Sequence, residues 1–160
     1  MEKIKLCGLD TSSRCSGYSY FENGELIEHG VVDLGKFKGS SDERIREMGR
    51  GLLKALQKYD PDIVVIEEEV IGSSTTTRML AMIIGIVMSW TIAKNREFHM
   101  LQPSQWRSLV CNEGESYPRK REDAKAWDIS KCKEFFGIDV GDDEADGILI
   151  GKAYIRKYGD

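Results

Sequence analysis

Three places along the chain put carboxylates where metal or acid–base chemistry would need them. Asp10 closes a mostly apolar run and is followed by Thr11-Ser12-Ser13. Glu67-Glu68-Glu69 follows four aliphatic residues, Ile63-Val64-Val65-Ile66, and Asp142-Asp143-Glu144-Ala145-Asp146 opens an apolar helical pattern. Singly, each has an ordinary explanation: a polar residue ends a strand, and acids in the first turn of a helix complement its dipole. Together they ask for more. Three adjacent glutamates at the end of a β-branched run repel one another, and strand propensity gives no reason for them. Alternation sends Glu67 and Glu69 to one face and Glu68 to the other. Asp143 and Asp146, three apart, share a helical face. Gly147, Ile150 and Tyr154 continue that face, which is therefore expected to pack on a sheet. The sequence offers these acids no obvious basic partner, so a cation is expected to offset them. Oxygen ligands without Cys or His select Mg²⁺ or Mn²⁺ over zinc. Two such ions roughly 3.5–4 Å apart can activate water and stabilise the leaving oxygen of a phosphodiester.

The elements that must hold these acids follow from periodicity. Residues 3–10 predict a strand, and residues 11–17 a small-residue loop. Residues 17–21 and 26–34 predict two strands joined at Asn23-Gly24, the favoured two-residue hairpin turn. Ser40 and Glu43 stand at capping-box spacing ahead of a helix to about Tyr59. In that helix Ile45, Met48, Leu52 and Leu56 face inward, and Arg46, Arg50, Lys54 and Lys58 face outward. Ile63-Val64-Val65-Ile66 predicts a strand buried on both faces of a parallel sheet. Helices over 75–94, 103–109, 122–136 and from about Asp142, with a strand over 97–101, complete an α/β sheet of mixed direction covered by helices on both faces. In such sheets sites form at the carboxyl ends of adjacent strands, and Asp10 and Glu67 each end one.

A length of 160 residues fits a single domain over 1–160, and 41% hydrophobic with 31% charged residues is the balance of a soluble globular protein. The net charge of −4 argues mildly against nucleic acid, although a metal-binding acid cluster supplies part of it. The amino terminus lacks the apolar stretch of a signal peptide. The most apolar segment, residues 79–93, is about fifteen residues against the roughly 20 a bilayer needs, so no membrane association is expected. The 4 cysteines form no C-x-x-C pair, which predicts reduced thiols in a cytoplasmic protein.

Gly8-Leu9-Asp10-Thr11-Ser12-Ser13-Arg14-Cys15-Ser16-Gly17-Tyr18 resembles the opening motif of RuvC-type Holliday junction resolvases. Val65-Ile66-Glu67-Glu68 resembles that family's second acidic motif, and Asp143-Glu144-Ala145-Asp146-Gly147-Ile148 its final D-x-x-D helix. The resemblance spans nearly the whole chain. It implies an RNase H-like fold, with a three-stranded antiparallel meander plus parallel strands in a five-stranded sheet. It also implies a homodimer, catalysis by two Mg²⁺ ions (Mn²⁺ substituting), and paired nicking of four-way DNA junctions in DNA-associated cytoplasm. The implied catalytic and metal-binding residues are Asp10, Glu67, Asp143 and Asp146. Arg14, Arg119, Lys120, Arg121 and Lys125 are the implied DNA contacts. The chain departs from the family at Val70, where an aromatic is usual.

The basic stripe Arg46, Arg50, Lys54 and Lys58 suits a solvated helix face better than a phosphate track. Residues 79–93 are apolar nearly all round, so a second copy of the same helix is expected to cover the outer face. Three alternatives compete. A sugar kinase or ATPase shares the strand–loop–hairpin opening but is expected to need a second domain. A nuclease on the same fold would cut flap, Y-branched or RNA–DNA hybrid substrates. A non-catalytic branched-DNA-binding dimer would not need to keep the acids.

Overall fold

The computed structural model describes residues 3–68 and 73–159. Glu69 and Val70, singled out above, lie outside them. The elements run β1 (Lys5–Asp10), β2 (Cys15–Glu22), β3 (Glu25–Asp33), α1 (Ser41–Tyr59), β4 (Ile63–Glu67), α2 (Ser74–Lys94), β5 (Glu97–Leu101), α3 (Pro103–Val110), α4 (Arg121–Phe136) and α5 (Asp142–Tyr158). They form one five-stranded sheet of order β3-β2-β1-β4-β5. The β1/β2 and β2/β3 pairs are antiparallel, whereas β1/β4 and β4/β5 are parallel.

Local chemistry accounts for most boundaries. Asn23 and Gly24 both have positive φ, 50° and 82°, as a two-residue turn matched to strand twist requires. Ser40 and Glu43 close a full capping box on α1. Gly137, at φ 68°, ends α4 where an L side chain would be strained. One boundary differs from expectation. β2 begins at Cys15, inside the segment that reads as loop, because Cys15 and Ser16 pair with Asp33 and Val32. Ser16 is fully buried there, with its hydroxyl donating to the carbonyl of Ser12. Small polar side chains hid that strand from hydropathy.

Each face of the sheet carries its own core. Cys7, Leu9, Tyr20, Val64 and Ile66 pack under α1 and α2, and Ile45, Met48, Leu52 and Leu56 all point inward. Leu6, Phe21, Val65 and Leu101 pack under α3, α4 and α5. By length and composition alone, the 21 residues of α2 could cross a membrane. The helix instead seats Met79, Ile83, Val87 and Trp90 in the core. Its outer face stays uncovered, with Met82 43% and Ile92 74% exposed. All four cysteines are free.

Candidate active site

Register decides which carboxylates meet. Leu6 pairs with Ile63 and Gly8 with Val65, and side chains alternate along each strand. The next residues on that same face are Asp10 and Glu67, side by side at the carboxyl ends of two parallel strands. Val65 and Leu6 belong to the core under α5, so both acids point towards that helix.

Helix α5 brings the other two acids by lying on the sheet with almost nothing between. A β-carbon placed on Gly17 would lie 1.7 Å from the carbonyl oxygen of Asp143. One on Gly8 would lie 2.5 Å from the carbonyl oxygen of Gly147 and 2.6 Å from the nitrogen of Gly151, and one on Gly147 would lie 2.7 Å from the carbonyl carbon of Gly17. No side chain fits at these positions, so the seam is backbone against backbone. The Ser19 hydroxyl fastens it by donating to the Gly147 carbonyl at 2.8 Å. This approach carries the first turns of α5, with Asp143 and Asp146, over the strand end that holds Asp10.

The electrostatics show how close the grouping is. Burial lifts the Asp10 carboxyl well above the usual carboxylate range, and the charges of Glu67 and Asp143 push the same way. Asp146 is pushed up to about 10, first by burial and then by Asp10, Asp128 and Glu67. Burial also raises Glu67, against the pull of the Trp106 hydrogen bond and of Arg107. Desolvation and like charge each disfavour ionisation. The Oδ1 atom of Asp146 is buried with no hydrogen-bond partner among the described residues.

Sequence inspection missed three residues here, all brought in by helices distant along the chain. Trp106, on α3, donates its indole N–H to Glu67 Oε2 at 2.7 Å. Arg107, beside it, contradicts the expectation that the acids lack a basic partner. Its guanidinium donates to both oxygens of Asp128, through Nε at 3.1 and 3.2 Å and through Nη2 at 2.8 Å. Burial alone would lower the Arg107 pKa, but Asp128, Asp146 and Glu67 more than offset this and raise it. Asp128, on α4, is fully buried, and its nearby carboxyl helps to raise Asp146. Helical spacing places Asp128 on α4's inner face with Ala124 and Cys132, the one signal that marks it before folding.

These donors suit a hard divalent cation: oxygen only, desolvated, with one buried oxygen unpartnered. As the side chains stand, no three His, Cys, Asp or Glu groups among the described residues are gathered tightly enough to hold an ion. Two of the acids are engaged by protein groups instead: Glu67 by the Trp106 indole and Asp143 by the thiol of Cys15. That thiol is pushed up to about 12, by burial first and then by its bond to Asp143.

The basic residues are spread around this centre. Arg14 is exposed on the β1–β2 loop, immediately before Cys15 and so at the border of the acids. Arg119 and Lys120 are exposed on the α3–α4 connection, and Arg121 is exposed as the first residue of α4. Arg119 lines a 310 Å³ cleft with Ser108, Glu115, Ser116 and Tyr117. That connection is anchored at Glu115, which accepts from the Trp127 indole at 3.1 Å and from the buried Lys131 at 2.9 Å. Lys125 is tied to Asp142 and so bridges α4 to the start of α5. On α1, Arg50 pairs with Glu47 and Lys58 with Glu28, as a solvated face would.

No family model matches the chain. Over 160 residues it is 22% identical to a protein of Prochlorococcus marinus named crossover junction endodeoxyribonuclease RuvC, covering 98% of this chain and 99% of that protein. The structure of Thermus thermophilus RuvC in complex with a Holliday junction substrate superposes with a TM-score of 0.73 at 14% identity, over 98% of this chain and 97% of that one. The fowlpox virus resolvase in complex with Holliday junction DNA superposes with a TM-score of 0.66 at 16% identity, over 98% and 100%. The mixed five-stranded sheet with helices on both faces is thus the RNase H-like fold of these proteins.

Proposed function

We propose that this chain, similar over its full length to the RuvC-type resolvases, is a divalent-metal-dependent endodeoxyribonuclease that resolves four-way DNA junctions by cutting two strands in a paired reaction. The observation that carries the proposal is the gathering of Asp10, Glu67 and Asp146, each half-buried, where α5 crosses the ends of two adjacent strands. Neutral or apolar residues would fill that space without the cost of repulsion. Similarity to proteins named as junction endodeoxyribonucleases supplies the substrate class.

Asp10, Glu67, Asp143 and Asp146 would hold Mg²⁺, with Mn²⁺ as a substitute and two ions in each site. Bound there, the ions would make water nucleophilic near neutral pH and stabilise the leaving oxygen as one P–O bond is replaced by another. The protein's own groups do the rest. The α5 seam keeps Asp143 and Asp146 in place, Trp106 holds Glu67, and Asp128 pins Arg107, whose guanidinium offsets part of the charge on Asp10 and Glu67. Arg14, Arg119, Lys120, Arg121 and Lys125 are the proposed phosphate contacts, which position DNA and add salt-dependent affinity. The uncovered face of α2 would pair with its copy in a homodimer, giving two sites for two cuts. We place all 160 residues in one domain acting on DNA in the cytoplasm.

The test is parallel cleavage of labelled four-way, Y-branched, flap and linear duplex DNA with Mg²⁺, Mn²⁺ or EDTA. Paired cuts in the four-way junction that need metal are expected. Preferred cutting of flaps or Y-branches would move the chain to another branched-DNA nuclease, and equal activity in EDTA would overturn the metal mechanism.

A further inference from the structure

Trp106 is wholly buried and sits on α3, in the core that also holds Leu101 and Val110. As a space-filling residue it needs no nitrogen. Yet its indole N–H points at Glu67 Oε2, 2.7 Å away, a short charge-assisted bond. The chain has 3 tryptophans, and a second buried one, Trp90, leaves its indole nitrogen without a partner among the described residues. Pairing of a buried indole is therefore not universal in this fold. At Trp106 it joins the core to one of the four site acids.

The indole is itself held firmly. The Arg107 guanidinium lies over its ring, 4.3 Å from the centroid, and is pinned in turn to Asp128. On the other side of the bond, the backbone of Glu67 is fixed by pairing with Leu101 of β5. The following residue is also tied, its amide donating to the Leu101 carbonyl at 2.8 Å. Glu67 is thus located at both ends, by the sheet through its backbone and by α3 through one carboxylate oxygen.

We infer that Trp106 is a positioning residue for Glu67: its N–H engages Oε2 and so sets the orientation in which Glu67 meets the divalent cation. The inference rests on the metal-dependent nuclease proposed above. Groups that orient a metal ligand in this way typically change affinity by about 10–100-fold when removed.

Two replacements test it. Trp106→Phe removes the N–H along with some bulk. Replacing Trp106 with 3-benzothienylalanine exchanges the N–H for sulfur at nearly constant shape, and it decides the matter if the phenylalanine variant folds poorly. Mn²⁺ binding without DNA, followed by the electron paramagnetic resonance of free Mn²⁺, should weaken about 10-fold in both. Junction affinity in EDTA should stay at the wild-type level. In ¹H–¹⁵N spectra of the wild-type protein, the Trp106 indole resonance should move when Mg²⁺ is added and in Glu67→Gln. Mn²⁺ affinity within twofold of wild type in the benzothienyl protein would overturn the inference and leave Trp106 as core. If the wild-type protein binds no Mn²⁺ and Glu67→Gln cuts junctions normally, the nuclease site itself falls, and the inference with it.

Discussion

On the face that carries α1 and α2, the sheet meets its helices through side chains: Leu9, Val64 and Ile66 interleave with Met48, Leu52, Ile83 and Val87. On the face that carries α5, Gly8 and Gly17 meet Gly147 and Gly151 with no room for a β-carbon. Aliphatic layers of the first kind can adjust when a methyl group is lost or moved, so they tolerate drift. A seam of backbone against backbone has nothing to adjust. That rigidity suits the acids it positions, because a site geometry must hold to a fraction of an ångström. The adaptable face, in turn, is the one with an uncovered helix.

The sharpest contrast between the faces is functional. Asp146→Asn, Asp10→Asn and Glu67→Gln should each cut junction cleavage by at least ~100-fold while gel-shift binding in EDTA persists or tightens. Phosphate contacts come from basic groups, which these changes leave in place, and whatever ionised fraction of the acids repels DNA is removed. Cleavage by Asp146→Asn at the wild-type rate would remove the site from the α5 face.

Next comes the seam. Gly17→Ala should cost more than ~3 kcal/mol in urea unfolding, since its methyl group would meet the Asp143 carbonyl. Ile83→Val, equally buried on the other face, should cost only about 1 kcal/mol. Equal costs would erase the distinction between the faces. On the uncovered helix, Met82→Glu should convert a dimer to a monomer in sedimentation, because an unpaired charge in an interface costs about 3–5 kcal/mol. A wild-type monomer at micromolar concentration would show that face to be free.

A smaller effect reads the acids through stability. Asp146 is raised in the fold to about 10, so its neutral form is the one that the fold favours. A raised carboxyl leaves stability full below its unfolded pKa of about 4 and erodes it as pH climbs towards the folded value. Without metal, the melting temperature should therefore fall between about pH 4 and 10. Mg²⁺ should restore it, by roughly 2–3 kcal/mol at a hundredfold excess over Kd, with a larger gain at pH 8.5 than at pH 6. An increment that does not change with pH would separate metal binding from these carboxyls. The smallest change is expected at Glu68→Gln, one residue past β4, which alternation turns to the opposite face. Loss of activity equal to that of Glu67→Gln would mean that the strand end is out of register.

Much of this molecule is written locally. Period-two and period-3.6 patterns, the Asn23-Gly24 turn, the Ser40–Glu43 box and Gly137 depend on neighbours within a few residues, so the sequence by itself determined the element order and left ends shifted by a residue or two. It also determined that Asp10 and Glu67 end strands and that Asp143 and Asp146 share a helix face. What only the tertiary structure decided is how those acids are surrounded. Gly8 and Gly17 look like loop or strand punctuation until α5 is laid across them. Nothing local ties Trp106, Arg107 and Asp128 to the acids until α3 and α4 bring them behind the strand ends. A buried Asp–Arg pair leaves no periodic trace, because its partners stand 21 residues apart and each is costly until the other arrives. The outer face of α2 is the opposite case: its apolar residues are plain in the sequence, and only the packing of α1 on one side revealed which of them remain uncovered.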